Sequence, residues 1–303
     1  MNLAIISHNK IILCTGDYVA FLEKSSLGIS EISTRSSRKR LNIGLPSNYI
    51  ITLIVYLLAL IAAELLTTYV NKIWGLSLHT IILFALLVNA SMVESPDFAN
   101  LLRSLMPIPI IRVVGLSIPM MQIQPLYWFP IVAIPLFAAS IILMRNQGLS
   151  LKDVGMTLGG NIKLQALIAA TGFFSGIIEF FILKPAPLIE QFTPALLLGA
   201  FFILLISTGL AEELLFRGIL QTNVTKMFGT VFALLYTSLV FTTMHIGWIY
   251  FSDLVFVFSV AMFYGYCLIK TKSIVGITVA HGISNSMLFL VMPFVNLAAF
   301  GIF

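Results

Sequence analysis

Apolar stretches of about twenty residues recur along most of this 303-residue chain, separated by short polar breaks. They fall at residues 49–71, 76–93, 101–122, 125–144, 163–183, 194–214, 229–248, 253–270 and 274–292. None alternates apolar and polar positions as a barrel strand must, and about 20 apolar residues is the length an α-helix needs to cross the hydrocarbon core. The pattern predicts an all-α, polytopic transmembrane helical bundle with eight or nine membrane segments. The third stretch sets that range: Pro107, Pro109, Arg112 and Pro119 interrupt it, as in a broken span or a pair of half-helices. Between the fourth and fifth, Gly148-Leu149-Ser150-Leu151-Lys152-Asp153-Val154-Gly155 reads as a turn and a short interfacial helix.

Composition agrees with the pattern. Apolar residues make up 59% and charged residues 10%, against about 25% charged in a soluble domain, and mean hydropathy is +1.03. The net charge of +5 therefore marks loop orientation rather than nucleic-acid affinity. Three regions are expected: a polar, basic N-terminal extension over 1–48, N-terminal transmembrane helices over 49–145, and a second transmembrane domain over 146–303 that holds the candidate chemistry. The extension ends in Arg35-Ser36-Ser37-Arg38-Lys39-Arg40, a juxtamembrane basic run suited to fixing orientation and meeting anionic lipid headgroups. Its stretch Leu3–Leu22 suits a small strand or an interfacial piece, and no signal peptide is expected. Cys14 and Cys267 form no disulfide framework. Trp74, Trp128 and Trp248 fall near span ends, as interfacial anchors do.

With nine spans and a cytoplasmic N-terminus, the inside connections hold Arg145, Lys152, Lys163, Arg217, Lys226, Lys270 and Lys272, and the outside ones only Lys72 and Lys184. That asymmetry favours a cytoplasmic N-terminus in an integral membrane protein.

The candidate chemistry lies in the last hundred residues. Glu212 and Glu213 stand side by side at the end of an apolar run, and carboxylates at membrane depth are costly enough to suggest a site. Glu213 and Arg217 are four residues apart on one helix face, in the favourable order for an ion pair. Glu212 points elsewhere and is free to act on something else. Phe241 and His245 share a face of a second segment, and His281 and Asn285 share a face of a third. Each motif alone also suits interhelical packing. Together, a carboxylate, two imidazoles and an amide form a hydrolytic set, with a base to take a proton from water and donors for the oxyanion.

In order and spacing, the three motifs resemble the CAAX-protease and bacteriocin-processing (CPBP, or Abi) family of intramembrane proteases. Its pattern is Glu-Glu-x-x-x-Arg, then Phe-x-x-x-His, then His-x-x-x-Asn or Asp. Here these are Glu212, Glu213 and Arg217; Phe241 and His245; His281 and Asn285. Glu213-Leu214-Leu215-Phe216-Arg217-Gly218 and the turn Lys270-Thr271-Lys272-Ser273 add to the likeness, which covers about residues 150–292. The family includes the Ras-converting CAAX protease, which removes the last three residues of prenylated proteins. The resemblance implies hydrolysis of a peptide bond near the C-terminus of a lipidated (CAAX-like) or otherwise membrane-bound substrate. It implies Glu212 as the base activating water with help from His245, and Glu213 and Arg217 as supports. His281 and Asn285 would form the oxyanion hole.

The favoured mechanism uses no cofactor. Zinc held by Glu212, His245 and His281 is the alternative, although no His-Glu-x-x-His segment places two imidazoles on one face. Membrane lipids and a peptide or protein substrate are the expected partners, and nucleic acid is not. Two other readings use the same residues: a transporter or ion relay, which a repeated, matched broken helix would favour, and a non-catalytic immunity or scaffold protein. One tension remains, because Glu212 and His281 would lie in the cytoplasmic part of the bundle and His245 near the far end of its span.

Overall fold

Without water in the hydrocarbon core every backbone N–H and C=O must be satisfied within its own segment, and the apolar stretches accordingly form helices. A computed structural model of the chain describes residues 4–7, 10–13, 47–118, 122–159 and 161–295. By its internal contacts the chain divides into Met1–Gly44 and Leu45–Phe303. In the first unit, β1 (Ala4–Ser7) and β2 (Lys10–Leu13) pair antiparallel, with Ser7 opposite Lys10. This is the small strand anticipated within Leu3–Leu22. Cys14 and the basic run Arg35–Arg40 lie outside the described residues.

In the second unit, nine helices among the described residues are long and apolar enough to cross a membrane. They are α1 (Asn48–Val70), α2 (Lys72–Met92), α3 (Pro96–Ser117), α4 (Pro125–Gln147), α5 (Ile162–Leu183), α6 (Pro194–Phe228), α7 (Thr230–Trp248), α8 (Phe251–Thr271) and α9 (Val275–Phe294). Large apolar side chains such as Phe84, Ile141, Phe174 and Leu198 stand exposed on their outer faces, as they do when lipid is the solvent. A continuous core joins Leu53, Leu86, Leu101 and Leu136 of the N-terminal helices to Leu215, Val240, Ala261 and Ile277 of the later ones.

The interrupted third stretch is one helical span with a break in its hydrogen-bond ladder at Met106. Pro96–Leu105 and Pro107–Ser117 are helical in series, and Pro107, which cannot donate to the ladder, follows the break. The stretch expected at 194–214 runs much further, to Phe228. Its second half carries Arg217, Gln221 and Asn223, which look like a polar span end but are buried inside the bundle. Arg217 is therefore no loop charge. At about 1.5 Å per residue, the 35 residues of α6 extend roughly 50 Å.

The 148–155 connection forms turns rather than a helix. The backbone N–H and hydroxyl of Ser150 donate to Asp153 Oδ2 at 2.8 and 2.6 Å. These bonds, the hydroxyl's first, hold the Asp153 carboxyl below its ordinary range. Val154 is fully buried, and a Cβ on Gly218 would lie 2.9 Å from its carbonyl oxygen. The connection thus dips against α6 and meets the start of α9, where Ile274 N–H donates to Gly155 O at 2.8 Å.

Three glycines let helices approach backbone to backbone around α9. On α5, a Cβ at Gly172 would lie 2.2 Å from Ala280 O, and one at Gly176 would lie 2.3 Å from Ser284 O. On α6, a Cβ at Gly209 would lie 2.7 Å from Thr278 O. Small residues four apart are the usual means of close packing in lipid, where apolar area gives helices little reason to associate. Here they clamp α9, the helix of His281 and Asn285, from two sides.

Candidate active site

Glu212 and Glu213 sit near the middle of α6, and π-type turns over Leu205–Leu210 and Leu214–Gln221 widen the helix on both sides of them. Such insertions are frequent at functional sites. The tension over His245 disappears at this helix length. Gly229, with φ +83°, makes the turn between antiparallel α6 and α7. Glu212 lies seventeen residues before it and His245 sixteen after it, so the two stand at similar depth. Phe216 and Phe241 meet edge to face across this pair, with centroids 5.0 Å apart.

The two carboxylates take different surroundings. Glu213 is 0% exposed, and its Oε1 accepts from Arg217 Nη1 at 2.9 Å and from His281 Nδ1 at 2.9 Å. Glu212 keeps 30% of its side chain exposed, with Oε2 3.9 Å from His281 Nε2. His281 therefore stands between the pair. Since a carboxylate only accepts, Nδ1 carries the proton shared with Glu213, and the other edge of the ring is turned toward Glu212. The expected Glu213–Arg217 pair is present, and Glu213 also holds His281.

Phe241 is the plate on which the site is built. The Arg217 guanidinium carbon lies 4.4 Å from its ring centroid, within cation–π range, His245 packs at 4.9 Å and His281 at 6.2 Å. His245 begins the turn that ends α7, and its Nδ1 is 3.1 Å from Phe241 O. A carbonyl can only accept, so Nδ1 donates and Nε2 of the neutral ring is left as an acceptor. Asn285 Nδ2 donates to Thr208 Oγ1 on α6 at 2.8 Å.

Glu212, His245, His281 and Asn285 all line one cavity of about 350 Å³. Glu213 and Arg217 lie behind its wall. The cavity also shows what the motifs alone missed. Arg112 of α3, Glu179 of α5 and Thr208 of α6 line it, and Trp128, placed at an interface by the sequence, lines it too, with Nε1 buried. Trp248 also lines the cavity while staying partly exposed near its helix end, and Trp74 is exposed at the start of α2. Glu179 and Arg112 could have been found by the rule that exposed the glutamate pair, since each is a charge set well inside an apolar stretch.

A metal was the alternative to a bare carboxylate. A histidine whose Nδ1 donates to a carboxylate is oriented as metal-bound histidines are. Among the described residues, however, no three His, Cys, Asp or Glu side chains are gathered closely enough to hold an ion.

Fold and site together define a polytopic helical membrane protein with a carboxylate–imidazole centre inside the bundle. Residues 193–287 match the protein-family model described as Type II CAAX prenyl endopeptidase Rce1-like. The match covers about a third of the chain, contains all seven motif residues, and bears out the likeness to the CPBP family over that stretch. It supports CAAX-type intramembrane endopeptidase activity in general. No curated protein and no solved structure matches the chain.

Proposed function

We propose that the protein hydrolyses a peptide bond near the C-terminus of a lipidated, CAAX-like or otherwise membrane-bound substrate, using water activated by Glu212. The observation that carries this reading is the division of labour around His281. Its Nδ1 is anchored on the fully buried Glu213, while Nε2 faces a second carboxylate that lines the cavity. At 3.9 Å, Nε2 and Glu212 make no direct hydrogen bond, and both line the cavity, where a water can meet the carboxylate.

Glu212 takes a proton from that water, and the oxygen attacks the carbonyl carbon. The free N–H of Asn285 stabilises the oxyanion, joined by Nε2–H of His281 when the ring between the two carboxylates is doubly protonated, and the proton taken by Glu212 passes to the departing amine. His245, with Nε2 as an acceptor, assists Glu212. Arg217 pairs with Glu213 and holds it in place. No metal is required in this scheme. The charge asymmetry of the connections supports a cytoplasmic N-terminus even without Arg217.

The test is cleavage of farnesylated C-terminal peptides by the purified full chain in detergent. The wild type is expected to cleave, and Glu212→Ala and His245→Ala to lose cleavage while keeping the wild-type melting profile. Proteolysis retained by Glu212→Ala sinks the mechanism.

A further inference from the structure

Arg112 is the one guanidinium lining the cavity among the described residues, and it comes from α3, outside the segment that matches the peptidase family. A charged side chain in a membrane span needs a reason. Part of the reason is structural. Nε donates to Glu64 Oε1 at 2.5 Å, and the Glu64 side chain is 2% exposed. The same oxygen is 3.3 Å from Nε2 of the fully buried His79. Nη2 donates to Met244 O, beside His245. A buried Glu64 thus fixes the Nε edge of the guanidinium, and the turn that ends α7 takes one further N–H.

A guanidinium has more donors than these two bonds use, and the Arg112 side chain remains 25% exposed where it lines the cavity. A rigid fork of N–H groups held from behind is suited to a carboxylate. The electrostatics of the walls favour one location for such a group. Glu212 and Glu179 line the same cavity and repel an anion, so a carboxylate that enters is confined to the neighbourhood of Arg112. Ile111, Leu116 and Leu136 nearby supply an apolar lining for the residues that precede it.

We propose that Arg112 binds the free C-terminal carboxylate of the peptide, so that the cavity measures its cut from the end of the substrate chain. This rests on the peptidase reading above. It makes Arg112 a substrate-binding residue and gives the site a preference for chain ends over internal sequence.

Two peptides serve as probes, identical except that one ends in a carboxylate and the other in a carboxamide. With the full-length wild type, kcat/KM should favour the acid by roughly tenfold to a hundredfold, the range of a charge-assisted hydrogen bond. In Arg112→Gln that ratio should fall toward one, and Arg112→Lys should restore part of it. Because Arg112→Gln leaves Glu64 buried without its cation, the neutral pair Glu64→Gln with Arg112→Gln is tested beside it, with the same expected ratio. Equal cleavage of acid and amide by the wild type overturns the proposal. So does an unchanged ratio in the variants, which would reduce Arg112 to a brace for the His245 turn. Binding of the tripeptide product, read from the thermal shift of the wild type and the paired variant, needs no turnover. An Arg112-dependent shift with the acid but not the amide supports the carboxylate site even if no peptide is cut, and its absence overturns it.

Discussion

Gly209→Ala tests whether the site depends on backbone contact between α6 and α9. The added methyl lies 2.7 Å from Thr278 O, and ordinary contact begins at 3.4 Å, so the helices must part by about 0.7 Å. Thr278 is one turn before His281 on α9, and the imidazole moves with it. The 2.9 Å bond from His281 Nδ1 to Glu213 then opens to about 3.6 Å, beyond hydrogen-bonding distance. A misplacement of about 1 Å costs on the order of a hundredfold in rate, so a loss of roughly tenfold to a hundredfold in kcat/KM is expected. Alanine in place of glycine favours a helix by about 0.5–1 kcal/mol, so weak helix formation cannot explain such a loss. Gly199→Ala is the control, on the same helix with nothing within 4 Å of the new methyl, and should keep full activity. The assay is cleavage of the lipidated peptide with melting followed in parallel. Full activity in Gly209→Ala, or an equal loss in Gly199→Ala, refutes the reasoning.

Glu213→Ala leaves the Arg217 guanidinium, 1% exposed, without its partner and should cost about 3–5 kcal/mol, seen as a large fall in melting temperature in detergent. Cleavage should persist after treatment with a zinc chelator, and loss of activity restored by added zinc would overturn the metal-free scheme. Asp153 has a lowered carboxyl pKa in the folded chain, so its stabilising contribution is present above the unfolded value and is lost as pH falls through the folded one. Asp153→Asn should therefore lower the melting temperature slightly at neutral pH, with the difference from wild type closing in acid.

Polar residues inside apolar stretches were the most legible signal in the chain. Glu212, His245, His281 and Asn285 stand out because hydrocarbon makes such groups costly, and the structure gathers all four on one cavity. The i,i+4 rule also paired Glu213 with Arg217. The end of α6 was not legible, because a buried Arg217, Gln221 and Asn223 read the same in sequence as a span meeting water. Nor could spacing give the second role of Glu213, since His281 is 68 residues away and arrives through the contact of Gly209 with α9. Arg112 was visible only as an interruption of its stretch. Its partners Glu64 and the Met244 carbonyl belong to distant segments, and only tertiary packing brings them together.

The bond from Arg112 to the Met244 carbonyl spans two parts of the chain that otherwise differ in kind. The stretch with the peptidase likeness supplies Glu212, His245, His281 and Asn285 to the cavity, while α3 and α4 supply residues such as Arg112, Leu116 and Leu136 to its lining. On the roles proposed for these residues, chemistry and choice of substrate are written in separate lengths of sequence. The wall helices can drift toward new substrates without touching the glutamates or histidines. Their freedom is limited at one latch, because a change at Arg112 loosens the turn that carries His245.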